Sequence, residues 1–307
     1  MAGCGAADDS GDVAGLRLAK PVTVEHRFGR TTIDTVPKRI VTIDVQWTDV
    51  MLAMGVEPVG YSVDPFMPDP GTVPWQKLPA DAKALPLKDG VSVEKVLALD
   101  PDLVVASFSV ADKDTYDLLS ARVPTIAGPA DSKSVIPWRD LVHTAGQILD
   151  QPDRAAMVIA NVESKVTETA KALPRLKGRT FALAQYIVGD AMTIVADEQD
   201  GSSLLFRDLG MTLYPPLVEE GRKGGSARLS VSTERADLLR ADLLMFLVNG
   251  GDKSDLADIP GFDQLPGTVA VLDYPTVVGL NTPTPLSIPY ALDKLRPYLD
   301  DAAAAAG

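Results

Sequence analysis

Short apolar runs alternate with longer segments of helical period along most of this chain. Residues 39–43 and 103–106 are compact runs rich in Ile and Val, and 59–61 and 124–127 repeat the pattern. Runs of that length bounded by turn residues predict buried strands. Between them, residues 46–54, 92–99 and 116–121 carry helical spacing, and Gly55 closes the first of these. Val22-Thr23-Val24 and Thr31-Thr32-Ile33 read as short strands around a turn at Gly29, and the proline-rich stretch 64–87 reads as a long loop. Residues 138–149 and 154–173 are helical. The second is the longest helix candidate, with Met157, Ile159, Val162 and Val166 as its apolar positions, and it breaks before Pro174. The alternation then restarts, with strands at 181–184, 192–194, 243–247 and 268–272 and helices at 203–209 and 286–299. Pro289 suits the start of that last helix, and Pro297 is expected to kink it or end it early. Strands alternating with helices predict an α/β fold with parallel sheets covered on both faces. The simplest organisation is two α/β halves joined by one long helix.

The two halves also echo each other. Val91-Ser92-Val93-Glu94-Lys95 through Leu99-Asp100-Pro101-Asp102-Leu103 lies without a gap on Val231-Ser232-Thr233-Glu234-Arg235 through Leu239-Arg240-Ala241-Asp242-Leu243. Each copy reads as a serine cap, a glutamate in the first helical turn and an Asp-Leu entry into an apolar strand. Matching places in the two halves predict pseudo-symmetry.

Composition narrows the function. The chain has 307 residues, a formal net charge of −13 and 46% hydrophobic residues. That length predicts two lobes, and that charge repels the phosphates of nucleic acids. His26 and His143 are far apart and Cys4 is the single cysteine, which argues against a histidine dyad, a zinc site or a metallocluster scaffold enzyme. No zinc-protease helix, phosphate loop, dinucleotide fingerprint or nucleophile elbow is present. Asp197, Glu198 and Asp200 lack the spacing of a calcium loop and read as a solvated turn. Ala2-Gly3-Cys4 has the form of the end of a lipoprotein signal, so Cys4 is the expected lipidation site. The charged and apolar parts of such a signal do not precede it, so Met1 is expected to begin a shortened form.

Several pieces, in their order and spacing, carry a resemblance. They are Pro37-Lys38-Arg39-Ile40-Val41-Thr42, Met54-Gly55-Val56-Glu57-Pro58-Val59-Gly60, Ser92-Val93-Glu94 running into Leu99-Asp100-Pro101-Asp102-Leu103-Val104, and Leu209-Gly210-Met211 with Ser232-Thr233-Glu234. From Pro21 to Leu299 the chain resembles the class III substrate-binding proteins that serve ABC importers of ferric siderophores, haem and cobalamin. The second half matches more loosely, since Arg240-Ala241-Asp242 stands where the family is usually more acidic. The resemblance implies two Rossmann-like lobes with mostly parallel sheets bridged by one long α-helix. It implies the division 1–20 flexible lipoprotein leader, 21–150 N-terminal lobe, 151–174 linking helix, 175–301 C-terminal lobe and 302–307 tail. It also implies a monomer outside the cytoplasm, lipid-anchored to the cell membrane, that catalyses nothing and needs no cofactor. Its ligand would be a ferric siderophore, or haem if a tyrosine or methionine supplies the axial bond. Its partners would be the importer's membrane subunits, docked through Glu94 and Glu234, one glutamate on each lobe.

In parallel α/β lobes, loops at the carboxyl ends of the strands build the ligand site. That rule selects Gln46, Trp47, Phe66, Trp75 and Phe108 in the first lobe, and Tyr186, Asn249 and Tyr274 in the second. Aromatic faces suit a large chelate. Arg222 or Arg228 is the expected partner for a ligand carboxylate, whereas Trp138, which opens an apolar helix, is expected in the core.

Overall fold

A hairpin opens the computed structural model, which describes residues 16–67, 71–129 and 136–305. Strands β1 (Arg17–His26) and β2 (Gly29–Thr35) pair antiparallel across the predicted Gly29 turn. β1 includes Arg17 to Lys20, so the last part of the predicted leader is strand, and Leu18 is packed into the core beside Ile33.

The first lobe is a five-stranded parallel sheet. Its elements are β3 (Ile40–Ile43), α1 (Val45–Ala53), β4 (Gly60–Val63), β5 (Lys83–Pro86), α2 (Val93–Leu97), β6 (Leu103–Ala106), α3 (Lys113–Ser120) and β7 (Thr125–Ile126). The strand order is β5-β4-β3-β6-β7. The central strands β3 and β6 are buried at every position, which accounts for their unbroken apolar runs. β5 lies inside the segment predicted as one long loop; its single buried residue, Leu85, gives too weak a pattern to read.

Two helices, α4 (Trp138–Ile148) and α5 (Pro152–Ala172), lead out of this sheet. α5 is the longest helix and spans about 30 Å at the usual rise. Pro152 starts it, where its missing N–H costs nothing. Ala155, Ile159, Val162 and Val166 form its buried stripe, whereas Met157, expected among the apolar contacts, projects into solvent.

The second lobe contains β8 (Thr180–Ile187), β9 (Ala191–Val195), α6 (Gly201–Asp208), β10 (Thr212–Leu213), α7 (Pro215–Gly224), β11 (Arg228–Ser232), β12 (Leu243–Asn249), β13 (Thr268–Val271), α8 (Tyr274–Asn281) and α9 (Ser287–Ala304). Its sheet is mixed. β8, β12, β13 and β10 run parallel, while β9 is reversed and pairs antiparallel with both β8 and β11. α9 continues through Pro297 to Ala304, so neither the expected early end nor a tail beginning at 302 is present. Its buried face, including Ala291, Leu295, Leu299 and Ala302, compensates for the hydrogen bond that Pro297 cannot make.

The internal echo has a structural counterpart. Asp102 accepts the backbone N–H groups of Lys38 and Arg39 at the entry to β3, at 2.7 and 2.9 Å. Asp242 accepts the N–H of Thr180 at the entry to β8, at 2.7 Å, and pairs with Arg179 at 2.8 Å. In each lobe the aspartate before one central strand thus holds the start of its neighbour. The serine caps are also present. Ser92 accepts from the N–H of Lys95, and Ser232 from that of Glu234, although the second helix is a 3-10 turn rather than an α-helix.

Candidate functional site

The carboxyl ends of both sheets face one cleft. From the first lobe it receives Asp44 after β3, Asp64 and Phe66 after β4, and Phe108 after β6. From the second it receives Tyr274, Val278 and Asn281 on α8, and Asn249 at the end of β12. The inner cavity is about 390 Å³ and the outer one, which shares Phe66 and Tyr274 with it, about 680 Å³. A smaller cavity beyond Asn281 includes Arg228.

Asp44 forms the floor. It adopts a left-handed φ of 119° that side chains rarely take. Its own N–H donates to Ser62 Oγ at 2.8 Å. One carboxylate oxygen accepts the N–H groups of Ser107 and Phe108, and the other that of Trp47 in the first turn of α1. A single side chain therefore ties the ends of β3 and β6 to the start of α1 and fixes the backbone of the Phe108 loop. Burial pushes its carboxyl up to about 7, against the opposing pull of those backbone donors.

Asp64 and Tyr274 meet across the cleft. The Tyr274 phenol donates to Asp64 Oδ2 at 3.1 Å, and the other oxygen of Asp64 accepts the N–H of Phe66. The Phe66 ring meets Tyr274 edge-on at 6.4 Å. Burial, with the adjoining Asp64 charge, pushes the Tyr274 phenol up to about 12. Arg228 is already paired. It makes two contacts with Asp200, at 2.9 and 3.0 Å, and a third with Asn281 at 2.9 Å. Burial alone would raise the Asp200 carboxyl, but the Arg228 and Ser202 contacts hold it below the ordinary carboxylate value.

The predicted site residues divide into those at the cleft and those elsewhere. Phe66 (78% exposed), Phe108 (50% exposed), Asn249 and Tyr274 line it. Trp47 does not: it is 1% exposed and packed in the core, because Asp44 caps α1 and turns Trp47 inward beside Val50 and Met51. Tyr186 is also 1% exposed, because β8 runs on to Ile187 and keeps it inside the sheet. Arg222 lies in the last turn of α7, 3.9 Å from Glu198 with most of its side chain in solvent, and lines none of the three cleft cavities. Trp138 is buried, as expected.

Gln46 and Trp75 sit where the lobes join. The amide of buried Gln46 donates to the carbonyls of Ile136 and Pro283. Trp75 packs against Tyr290 with the ring centroids 4.9 Å apart and the planes tilted by 49°, and it donates to Asp49 at 2.7 Å. Asp49, fully buried on α1, also accepts from Gln76 at 2.6 Å and from Thr284 of the second lobe. Burial raises its carboxyl to about 6 despite these three donors. Gly279 lets the Trp75 ring approach closely here, since a Cβ would lie 3.0 Å from that ring and 3.1 Å from the Ser287 side chain. Cys4 lies outside the described residues. Among those described, no group of three His, Cys, Asp or Glu side chains converges as metal ligands, and no helix is long and apolar enough to cross a membrane.

Two α/β lobes around an aromatic-walled cleft, with one long helix between the sheets, define a two-lobed solute-binding protein. The chain belongs to the periplasmic binding protein family, whose model matches residues 40–261. It is 25% identical over 262 residues to the protein named probable siderophore-binding lipoprotein YfiY of Bacillus subtilis, covering 83% of this chain and 77% of that one. A periplasmic solute binding protein of Mycobacterium smegmatis superposes with a TM-score of 0.77 at 26% identity, covering 92% of this chain and 99% of the other. PiaA of Streptococcus pneumoniae, solved in complex with ferrichrome, gives 0.76 at 27% identity, covering 93% and 100%. The chain is thus a binding protein and not an enzyme.

Proposed function

We propose that this chain captures a ferric siderophore in the inter-lobe cleft and delivers it to the membrane subunits of an ABC importer. The observation that carries the reading is the cavity of about 390 Å³ with Phe66, Phe108 and Tyr274 on its walls, at the carboxyl ends of the strands. The relatives' names point the same way, since they include binding proteins for siderophores, ferric citrate and ferric hydroxamates. Haem is less suited. The tyrosine at the cleft is bonded to Asp64 and its phenol is pushed up to about 12, which opposes the phenolate that an axial bond to iron needs. Titration of the purified protein with ferric siderophores tests the reading. Saturable one-to-one binding is expected, and failure to bind any of a broad panel overturns it.

The same reading makes the chain an extracytoplasmic monomer anchored through acylated Cys4. It makes Glu94 and Glu234 the docking residues. Both are exposed, each lies just after a serine cap in its own lobe, and neither is in an ion pair among the described residues. Exposed charges of this kind govern encounter and register more than folding. Replacing both by alanine is expected to abolish uptake of radioiron-loaded siderophore in cells while leaving ligand affinity intact. Normal uptake by that variant contradicts the docking role.

A further inference from the structure

The charges around the cleft bear on which chelate fits. Ferric siderophores differ in net charge because their donors lose different numbers of protons. Each hydroxamate loses one, so three of them neutralise a ferric ion. Each catechol loses two, which leaves a tris-catecholate complex trianionic, and ferric citrate complexes are also anionic. Resting on the reading that the cleft holds a ferric chelate, we infer that this chelate is a neutral or cationic one of hydroxamate type.

Among the described residues the inner cavity has three titratable side chains on its wall, Asp44, Asp64 and Tyr274, and none is a cation. Asp64 accepts only two hydrogen bonds there, from the Phe66 N–H and the Tyr274 phenol, and has no cationic partner among the described residues. Arg228, the cation of the adjoining cavity, is held in two contacts by Asp200 and in a third by Asn281. Its charge is therefore already matched by a carboxylate that its own contacts keep ionised. In the outer cavity Lys253 is exposed and in no ion pair among the described residues, and it shares that wall with two carboxylates, Asp252 and Asp273, so the outer wall carries an excess of negative charge. Much of the remaining inner wall is apolar, with Phe66, Phe108, Leu87 and Val278. An anionic chelate entering the inner cavity loses its water and gains no cation there among the described residues, beside a carboxylate of like sign. A neutral chelate meets no such opposition, and a cationic one is attracted by Asp64. The overall charge of −13 steers encounter in the same sense.

The test is a charge series on the full chain by isothermal titration, with ferrioxamine B (cationic), ferrichrome (neutral), ferric dicitrate and ferric enterobactin (both anionic). Both trihydroxamates are expected to bind at least about tenfold more tightly than either anionic chelate. Equal or tighter binding of an anionic chelate overturns the inference while leaving the siderophore reading in place. No binding by any of the four overturns both. Asp64→Asn keeps an oxygen for the Tyr274 hydroxyl and removes the charge. It is expected to weaken ferrioxamine B by about threefold or more and leave ferrichrome nearly unchanged. An equal loss for both ligands shows that Asp64 acts through the shape of the site, and contradicts the role of its charge.

Discussion

The two sides of the inter-lobe space are built differently. At the junction, Asp49 is fully buried and all its contacts are made within the protein: Trp75, Gln76 and Thr284 donate to one carboxylate across both lobes. Trp75 against Tyr290 and Gly279, and Gln46 against Pro283, close the same contact. At the cleft, among the described residues, the lobes meet through one side-chain hydrogen bond, Tyr274 to Asp64, and one edge-on ring contact, with exposed Phe66 and Phe108 beside them. α1 touches both sides, through its cap Asp44 at the cleft and through Asp49 at the junction. The difference separates the two tasks. Dense buried polar contacts hold the lobes together, and sparse contacts leave aromatic faces available to a ligand. The expected motion on binding is correspondingly small, and scattering with and without ligand should show no change of several ångströms in radius of gyration.

Substitutions sharpen the comparison. Trp47→Ala, in the core behind the cleft, should cost about 3–5 kcal/mol of folding stability while leaving the folded protein's affinity unchanged. Denaturant melts and titrations read the two separately, and a large affinity loss at full folding returns Trp47 to the cleft. Asp44→Asn concerns pH. Asp44 is raised from 3.8 to about 7 on folding, so the folded chain holds a proton that the unfolded chain releases. Its contribution is complete below about pH 4 and is lost as pH rises through about 7, a change of roughly 3–4 kcal/mol. Asn removes that slope, so the stability gap between variant and parent should change by this amount between acid and neutral melts. A constant gap contradicts the protonation of Asp44.

Asp49→Ala leaves three donors without their acceptor and should cost about 2–3 kcal/mol, again with little effect on ligand affinity. An effect confined to affinity would erase the distinction between the two sides. The smallest effect is expected at the cleft. Phe108→Ala, half exposed, should leave the melt nearly unchanged and weaken binding by about 1 kcal/mol or more.

The same contrast explains what the sequence revealed. The strands β3 and β6 were legible because burial on both faces leaves an unbroken apolar run. Phe66, Phe108, Asn249 and Tyr274 were legible because each lies at or shortly after the carboxyl end of a strand. Trp47 was misplaced although its signal was present: Trp47, Val50, Met51 and Met54 recur at helical spacing, and all four are buried. Tyr186 was misplaced because β8 was ended at Ala184, and the parallel pairing with β12 that carries it on to Ile187 is a long-range tertiary feature. Asp64 with Tyr274, and Asp49 with Thr284, join residues 210 and 235 positions apart, and no local pattern announces such pairs. Arg228 outweighs Arg222 for the same reason, since its neighbours Asp200 and Asn281 arrive from other elements.

The central claim is that the ligand lies between the lobes against Phe66, Phe108 and Tyr274. A crystal structure of the protein with gallium-substituted ferrichrome tests it most directly, because the metal and its chelate are then located without ambiguity. The account predicts the chelate in the cavity those three rings line, with Asp49, Trp75 and Thr284 in the contacts described above. A chelate bound elsewhere on the surface, with the cleft empty, would contradict it.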